Sequence, residues 1–186
     1  RALCERGWAL SEEERSAWGV SPSALILPEG GDAEVARAGC AELWRELETQ
    51  WVRLNEGPLD ELWLCAGTGA TARGVMSAMP VGCSTRVVVV SAVKGAKREQ
   101  ATAERVAEAR SLQLEWVDER RFGGFGRLTP EVEALRGRVE REAGLWVDRV
   151  YQPKLLAELI RRARALEGRS VVWLHTGGAR ALEDLV

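Results

Sequence analysis

The sequence predicts an α/β fold: a three-layer arrangement with a mostly parallel, twisted sheet covered by helices on both sides. Three observations carry that expectation. Short apolar runs alternate along the chain with longer segments of helical periodicity. The run Thr85 to Val93 is almost continuously β-branched, as suits a strand buried on both faces. Glycine-rich turns follow several of the apolar runs, at Gly30-Gly31, Gly67-Thr68-Gly69, Gly123-Gly124 and Gly177-Gly178. In an open parallel sheet, ligands sit beyond the carboxyl ends of the strands, so these turns are expected to gather at one edge.

Taken in order, residues 1–20 form a weak mixed segment in which Ser11-Glu12-Glu13-Glu14 suits the start of a short helix. Ala24 to Leu27 reads as a strand. Asp32 is placed to open a long helix with Val35, Ala38, Leu43, Leu47, Trp51 and Leu54 near helical spacing, stopped at Asn55-Glu56-Gly57-Pro58. Leu62 to Ala66 is a strand and the small residues from Ala70 open a helix that ends near Met79-Pro80. After the Thr85–Val93 strand come a helix over Ala96–Ala109, a strand at Leu114–Val117 and a loop from Asp118 to Gly126. Thr129-Pro130-Glu131 is a helix start, with proline at the first helical position. That helix runs to Ala143, another covers Pro153 to Leu166, and Ser170 to Leu174 is the last strand. The expected division is a remnant of a preceding segment at 1–23 and an α/β portion at 24–186. The start at Arg1, with neither signal nor transit sequence, reads as a cut inside a longer protein.

Composition excludes several functions. The formal net charge is −2 with both signs interspersed, so no basic stripe argues for nucleic acid. No run of eighteen apolar residues argues for a membrane span. The four cysteines lack CxxC spacing and His175 is the one histidine, so no metal site is expected and free thiols in a reducing cytoplasm are the reading. His175 itself is expected to be a hydrogen-bonded core residue, and the eight tryptophans packing residues.

The chemistry centres on Gly67-Thr68-Gly69-Ala70-Thr71. A glycine turn between strand and helix lets an anion approach the backbone, and the N–H groups of a helix start point towards it. Hydroxyls of Thr68 and Thr71 add donors. A tight turn that binds nothing has the same sequence. The third glycine of a dinucleotide fingerprint falls at Gly74, two positions late, and no Gly-Lys-Ser/Thr follows, so a nicotinamide-dependent oxidoreductase ranks last. Arg73 lies on the first turn of the helix, towards the anion or away from it.

Four separated pieces resemble one family in register: Pro28-Glu29-Gly30-Gly31 with Gly39, Cys65 to Thr71, Phe122-Gly123-Gly124-Phe125 with Leu128-Thr129-Pro130-Glu131 and then Val150-Tyr151-Gln152-Pro153-Lys154, and His175-Thr176-Gly177-Gly178. The family is that of the pyridoxal-phosphate enzymes 1-aminocyclopropane-1-carboxylate deaminase and D-cysteine desulfhydrase, of the tryptophan-synthase-β type (fold type II). The resemblance runs from about residue 24 to the end and implies the large domain of such an enzyme. It places the cofactor phosphate on Gly67, Thr68, Gly69, Ala70 and Thr71, and sets Thr176 at the pyridine nitrogen. It makes Tyr151 the catalytic tyrosine, with Phe125 where the family has a second tyrosine and Gln152 at the ring edge where it has threonine or glutamate. A phenyl ring has no proton to give, so Phe125 weakens the case for the family's lyase chemistry.

The resemblance also implies what is missing. The family's Schiff-base lysine and its substrate-carboxylate loop lie upstream of the Pro-Glu-Gly-Gly segment, in a part this chain lacks. Of the three lysines, Lys94 and Lys97 read as a solvated turn and Lys154 matches a lysine of the tyrosine motif. Two functions therefore stand: a portion of a cytoplasmic deaminase or lyase for a small amino acid, inactive alone, or a degenerate relative that binds a phosphorylated small ligand or a partner protein. Homodimers are the family's common assembly.

Overall fold

The computed structural model describes residues 11–21, 23–24, 29–32, 34–54, 57–118 and 122–177. The Ala24–Leu27 strand expectation and Gly178 fall wholly or partly outside them. A short helix α1 (Glu12–Ala17) opens with a capping box, in which Ser11 and Glu14 each accept the other's backbone N–H. After a 3-10 turn at Glu29–Gly31 the elements run α2 (Glu34–Leu54), β1 (Glu61–Ala66), α3 (Ala70–Ala78), β2 (Arg86–Ser91), α4 (Lys97–Ala109), β3 (Leu114–Val117), α5 (Pro130–Ala143), α6 (Gln152–Arg162), a 3-10 turn (Ala163–Leu166) and β4 (Val171–Trp173).

The four strands pair in the order β3-β2-β1-β4, every pair parallel, so the parallel sheet expected from the sequence is present. Side-chain alternation divides the core in two. Leu62, Leu64, Val87 and Val89 pack with Trp44 of α2, Val75 and Met76 of α3 and Ala103 and Ala107 of α4. Trp63, Val88 and Val90 face the other way, onto Leu155 and Leu159 of α6. Each central strand thus buries both faces, which is what the β-branched run required. Helices lie on both sides of the sheet. Gly74 brings α2 and α3 close: a Cβ there would stand 2.5 Å from the Arg37 carbonyl oxygen and 2.5 Å from Cys40 Cβ.

Local differences from the sequence reading have physical causes. β2 ends at Ser91 rather than Val93, because Ser91 Oγ donates to the Val93 carbonyl and accepts its N–H, turning the chain out of the ladder. The last helix is α-helical only to Arg162 and tightens to 3-10 over Ala163–Leu166. α2 starts at Glu34, and the Asp32 carboxylate is taken by the guanidinium groups of Arg37 and Arg73. No described helix is long and apolar enough to cross a membrane.

The N-terminal ends of the strands carry a chain of ion pairs. Arg169 meets Glu61 at 2.5 Å, Arg86 lies between Glu61 and Glu115, and Arg162 joins Glu115 at 2.7 Å to Glu158, which Arg161 also holds. The Arg162 guanidinium sits 5.3 Å from the Trp63 ring centre. The strands' opposite ends are left for the glycine turns.

Candidate active site

At the carboxyl ends of the strands lies a cleft of about 570 Å³, lined by Gly30, Cys65, the loop 66–71, Val93, Phe125, Tyr151 and Thr176. Its floor is the turn from β1 into α3. Gly69 adopts φ +75 as the residue before α3, a left-handed angle that a β-carbon disfavours, and no side chain caps the helix's first N–H groups. The first turn of α3 holds no acidic residue. Uncapped amides at a helix start, with the helix dipole behind them, could seat an anion. Gly67 is equally constrained, since a Cβ on it would stand 3.1 Å from the Tyr151 hydroxyl oxygen and 3.3 Å from its ring.

Arg73 does not reach into this seat. Its buried guanidinium turns back to donate to the Thr68 carbonyl at 3.0 Å and to Thr102 Oγ1 at 3.0 Å, and it pairs with Asp32. The arginine therefore shapes the loop from behind. Gly30 closes on the same loop, where a Cβ would stand 2.6 Å from the Thr68 methyl carbon. Cys40 of α2 reaches Thr71 Oγ1 with its thiol at 3.9 Å.

Tyr151 forms the adjoining wall. It precedes α6, and its orientation is set by Asp148, whose buried carboxylate accepts the N–H groups of Val150 at 2.7 Å, Tyr151 at 2.6 Å and Gln152 at 3.0 Å. The Cys65 thiol donates to the Tyr151 carbonyl at 3.2 Å. Burial first, and the Asp148 charge second, push the Cys65 pKa far up, so this sulfur remains a thiol. Phe125, exposed, meets Tyr151 edge-on with ring centres 6.0 Å apart at 71°.

Opposite them, Thr176 follows β4. Gln152 does not line the cleft but stands buried behind it, with its amide nitrogen 3.5 Å from Thr176 Oγ1 and its carbonyl oxygen accepting the Trp173 indole N–H at 2.7 Å. Gln152, expected at a ring edge, thus stands one layer behind the cleft and meets it through Thr176. His175 is exposed rather than in the core. Its ring contacts the Trp146 carbonyl at 3.0 Å, accepts the Gly177 N–H and lies edge-on to Trp173. Among the described residues no cluster of histidine, cysteine, aspartate and glutamate is placed to hold a metal ion.

The structure brings Gly67 to Thr71, Tyr151, Phe125 and Thr176 into one cleft, with Gln152 one layer back. Sequence reasoning missed Asp148 as the organiser of Tyr151; its signal was an aspartate just ahead of a proline-bearing helix start, at Pro153. The part played by Lys154 was missed as well. Its buried ammonium donates to the Gly124 carbonyl at 2.7 Å and to the Ala92 carbonyl at 3.2 Å.

No family model matches the chain. Three curated relatives do, each bearing the name "Putative 1-aminocyclopropane-1-carboxylate deaminase". The protein of Pyrococcus abyssi is 32% identical over 177 residues, covering 89% of this chain and 52% of the relative. That of Pyrococcus horikoshii is 28% identical over 176 residues, with the same two coverages. That of Pyrococcus furiosus is 26% identical over 164 residues, 82% of this chain and 49% of the relative. A crystal structure described as an ACC deaminase homologue superposes with a TM-score of 0.70 at 24% identity, over 90% of this chain and 52% of that one, and so shares its fold. The chain spans about half the length of the curated relatives it matches. Over the portion that it spans, the chain is similar in sequence to these three deaminase-named relatives and shares the fold of the deaminase homologue.

Proposed function

We propose that this chain is the cofactor-holding portion of a pyridoxal-phosphate-dependent deaminase or lyase that acts on a small amino acid. The observation that carries the reading is the uncapped start of α3, which opens into the same cleft as Tyr151 and Thr176. Backbone N–H groups from Gly67 to Thr71 would hold the phosphate, with Thr68 and Thr71 hydroxyls as further donors. Both the left-handed Gly69 and the lack of room beside Gly67 fit a backbone cradle rather than a side-chain one. Bound pyridoxal phosphate supplies an electron-withdrawing ring for breaking bonds at the α-carbon of an amino acid.

The chain's own residues supply orientation and proton handling. An indole N–H can only donate, so Trp173 forces the Gln152 carbonyl towards itself and the Gln152 amide towards Thr176. Thr176 then accepts from Gln152 and keeps its hydroxyl proton for an acceptor in the cleft, such as an unprotonated ring nitrogen. Tyr151 brings the one phenolic hydroxyl of the chain to the cleft, beside Gly67, where it serves to give or take a proton. Phe125 supplies an apolar wall only. No described lysine is offered for covalent attachment: Lys154 is spent on two carbonyls, and Lys94 and Lys97 lie exposed around the turn into α4. The chain alone is therefore inactive, and catalysis needs a lysine from outside it.

A second reading, a non-catalytic relative that binds a phosphorylated small ligand, is favoured by Phe125, which holds Tyr151 edge-on but transfers no proton. One titration separates binding from nothing. Pyridoxal phosphate is added to the chain and tryptophan quenching is followed, with inorganic phosphate as competitor. Saturable quenching relieved by phosphate supports the cradle. Quenching without competition, or none, removes the phosphate assignment. Adding a polypeptide that carries the relatives' first half then distinguishes the enzyme, which gains turnover on small amino acids, from the binding module, which does not.

A further inference from the structure

We infer that Lys154 is a positioning residue for the cleft: its ammonium staples the Phe125-bearing loop to the end of β2. Lys154 lies in the first turn of α6 and is 1% exposed. From there Nζ donates to the carbonyl of Gly124, next to Phe125, and to that of Ala92, just past β2. These two carbonyls are 32 residues apart in sequence, and one ammonium satisfies both. Carbonyls only accept, so no neutral aliphatic chain can replace the bridge.

Phe122 anchors the start of the loop by burial, and the residues after it carry little apolar burial of their own. Gly123, Gly124 and Gly126 all have positive φ, and the Gly124 carbonyl otherwise accepts the Arg127 N–H at 3.2 Å, within the same loop. Phe125 is more than half exposed, so the loop's place is not set by burying that ring. A methionine would fill the lysine's volume without the cost of burying a charge. What the ammonium adds is the tie between the loop and β2. Asp148 and Cys65 are the ionisable groups near it, and Asp148 also orients Tyr151, so both aromatic walls of the cleft hang from one buried cluster.

This role rests on the proposed reading only where Phe125 is taken to face a bound pyridine ring; the staple itself does not. The test compares wild type with Lys154→Met by amide hydrogen exchange and by affinity for pyridoxal phosphate and for inorganic phosphate. In the variant, exchange over residues 122–127 is expected to rise about ten-fold or more while β1 and α3 are unchanged. Pyridoxal phosphate is expected to bind about ten-fold more weakly while inorganic phosphate binds as before. Unchanged exchange in the loop overturns the inference, and so does an equal loss for both ligands or for neither. If wild type binds no pyridoxal phosphate, the functional reading fails, and the exchange data alone decide the staple. Should the variant not fold, acetylation of the wild type serves: Lys94 and Lys97 react and Lys154 stays protected, whereas reaction of Lys154 at the rate of Lys97 refutes the staple.

Discussion

The indole N–H of Trp173 donates to the Gln152 side-chain carbonyl at 2.7 Å, and this one bond decides which end of the Gln152 amide faces Thr176. Gln152→Glu keeps the acceptor for Trp173 but turns the donor facing Thr176 into a second acceptor. The Thr176 hydroxyl then turns inward to donate. Affinity for pyridoxal phosphate is expected to fall about ten-fold, and affinity for inorganic phosphate to hold, in parallel calorimetric titrations. Thr176→Val is expected to reproduce the effect, and Gln152→Glu matching wild type would contradict it.

At the anion seat, two substitutions separate backbone from hydroxyl. Gly69→Val forces a β-branched residue to φ +75 and sets its side chain towards Arg73 and Trp116, whose atoms lie 3.5 Å from a Cβ there. Phosphate affinity is expected to fall by ten-fold or more. Thr71→Ala removes a hydroxyl and leaves the amides, so a smaller loss is expected. Fluorescence titration of both variants, after circular dichroism confirms their folding, checks the order.

Gly74→Ala tests the helix pair behind the loop. Its added carbon has no room against the Arg37 carbonyl and Cys40, so α2 and α3 must separate. A loss of about 1–3 kcal/mol is expected in urea unfolding. Stability equal to wild type would show that the helices yield more readily than their packing implies.

The ion pairs at the far end of the sheet predict a dependence on pH. Glu158 is fully buried, which raises its pKa, but its hydrogen bonds to Arg161 and Arg162 outweigh that and hold it below the usual carboxylate value. Glu115 is held down by its hydrogen bond to Arg162, against a smaller effect of burial. Groups with depressed folded pKa values stabilise the fold above the unfolded carboxylate pKa, about 4.3. That contribution is lost as pH falls through their folded values. Thermal melts from pH 7 downward are expected to show the loss, and Arg162→Met to flatten it while costing about 1–3 kcal/mol at pH 7. A pH profile unchanged by Arg162→Met would refute the linkage.

Lysine chemistry supplies the last prediction. With pyridoxal phosphate and borohydride, the chain alone is expected to show no stoichiometric label at one lysine, because Lys154 is buried on two carbonyls and Lys94 and Lys97 are exposed to solvent. Peptide mapping that places one full equivalent on any of them would return catalytic competence to this chain.

Much of the frame was legible because it follows from local pattern. The β-branched run had to be a doubly buried strand, and Thr129-Pro130 had to begin a helix. The glycine turns at strand ends pointed to one edge of the sheet. Other features rest on contacts between distant residues, which periodicity does not encode. Arg73 reaches Asp32 and Thr102, at separations of 41 and 29 residues, and Lys154 reaches Ala92 across 62. The sequence showed an arginine near an anion loop and a lysine in a tyrosine motif; only packing shows that both face away from the ligand side and serve the walls.

Arg73 has one more consequence, thermodynamic rather than geometric. It joins the carbonyl of Thr68, inside the loop, to the carboxylate of Asp32, just ahead of α2. A ligand that binds the loop in the arrangement Arg73 holds also favours the paired state of Asp32, and by reciprocity a break at Asp32 weakens its binding by the same factor. Ligand is expected to slow amide exchange at the start of α2, in residues it never touches. Such protection would make the long helix packed on α3 a reporter of occupancy, read through a single buried guanidinium.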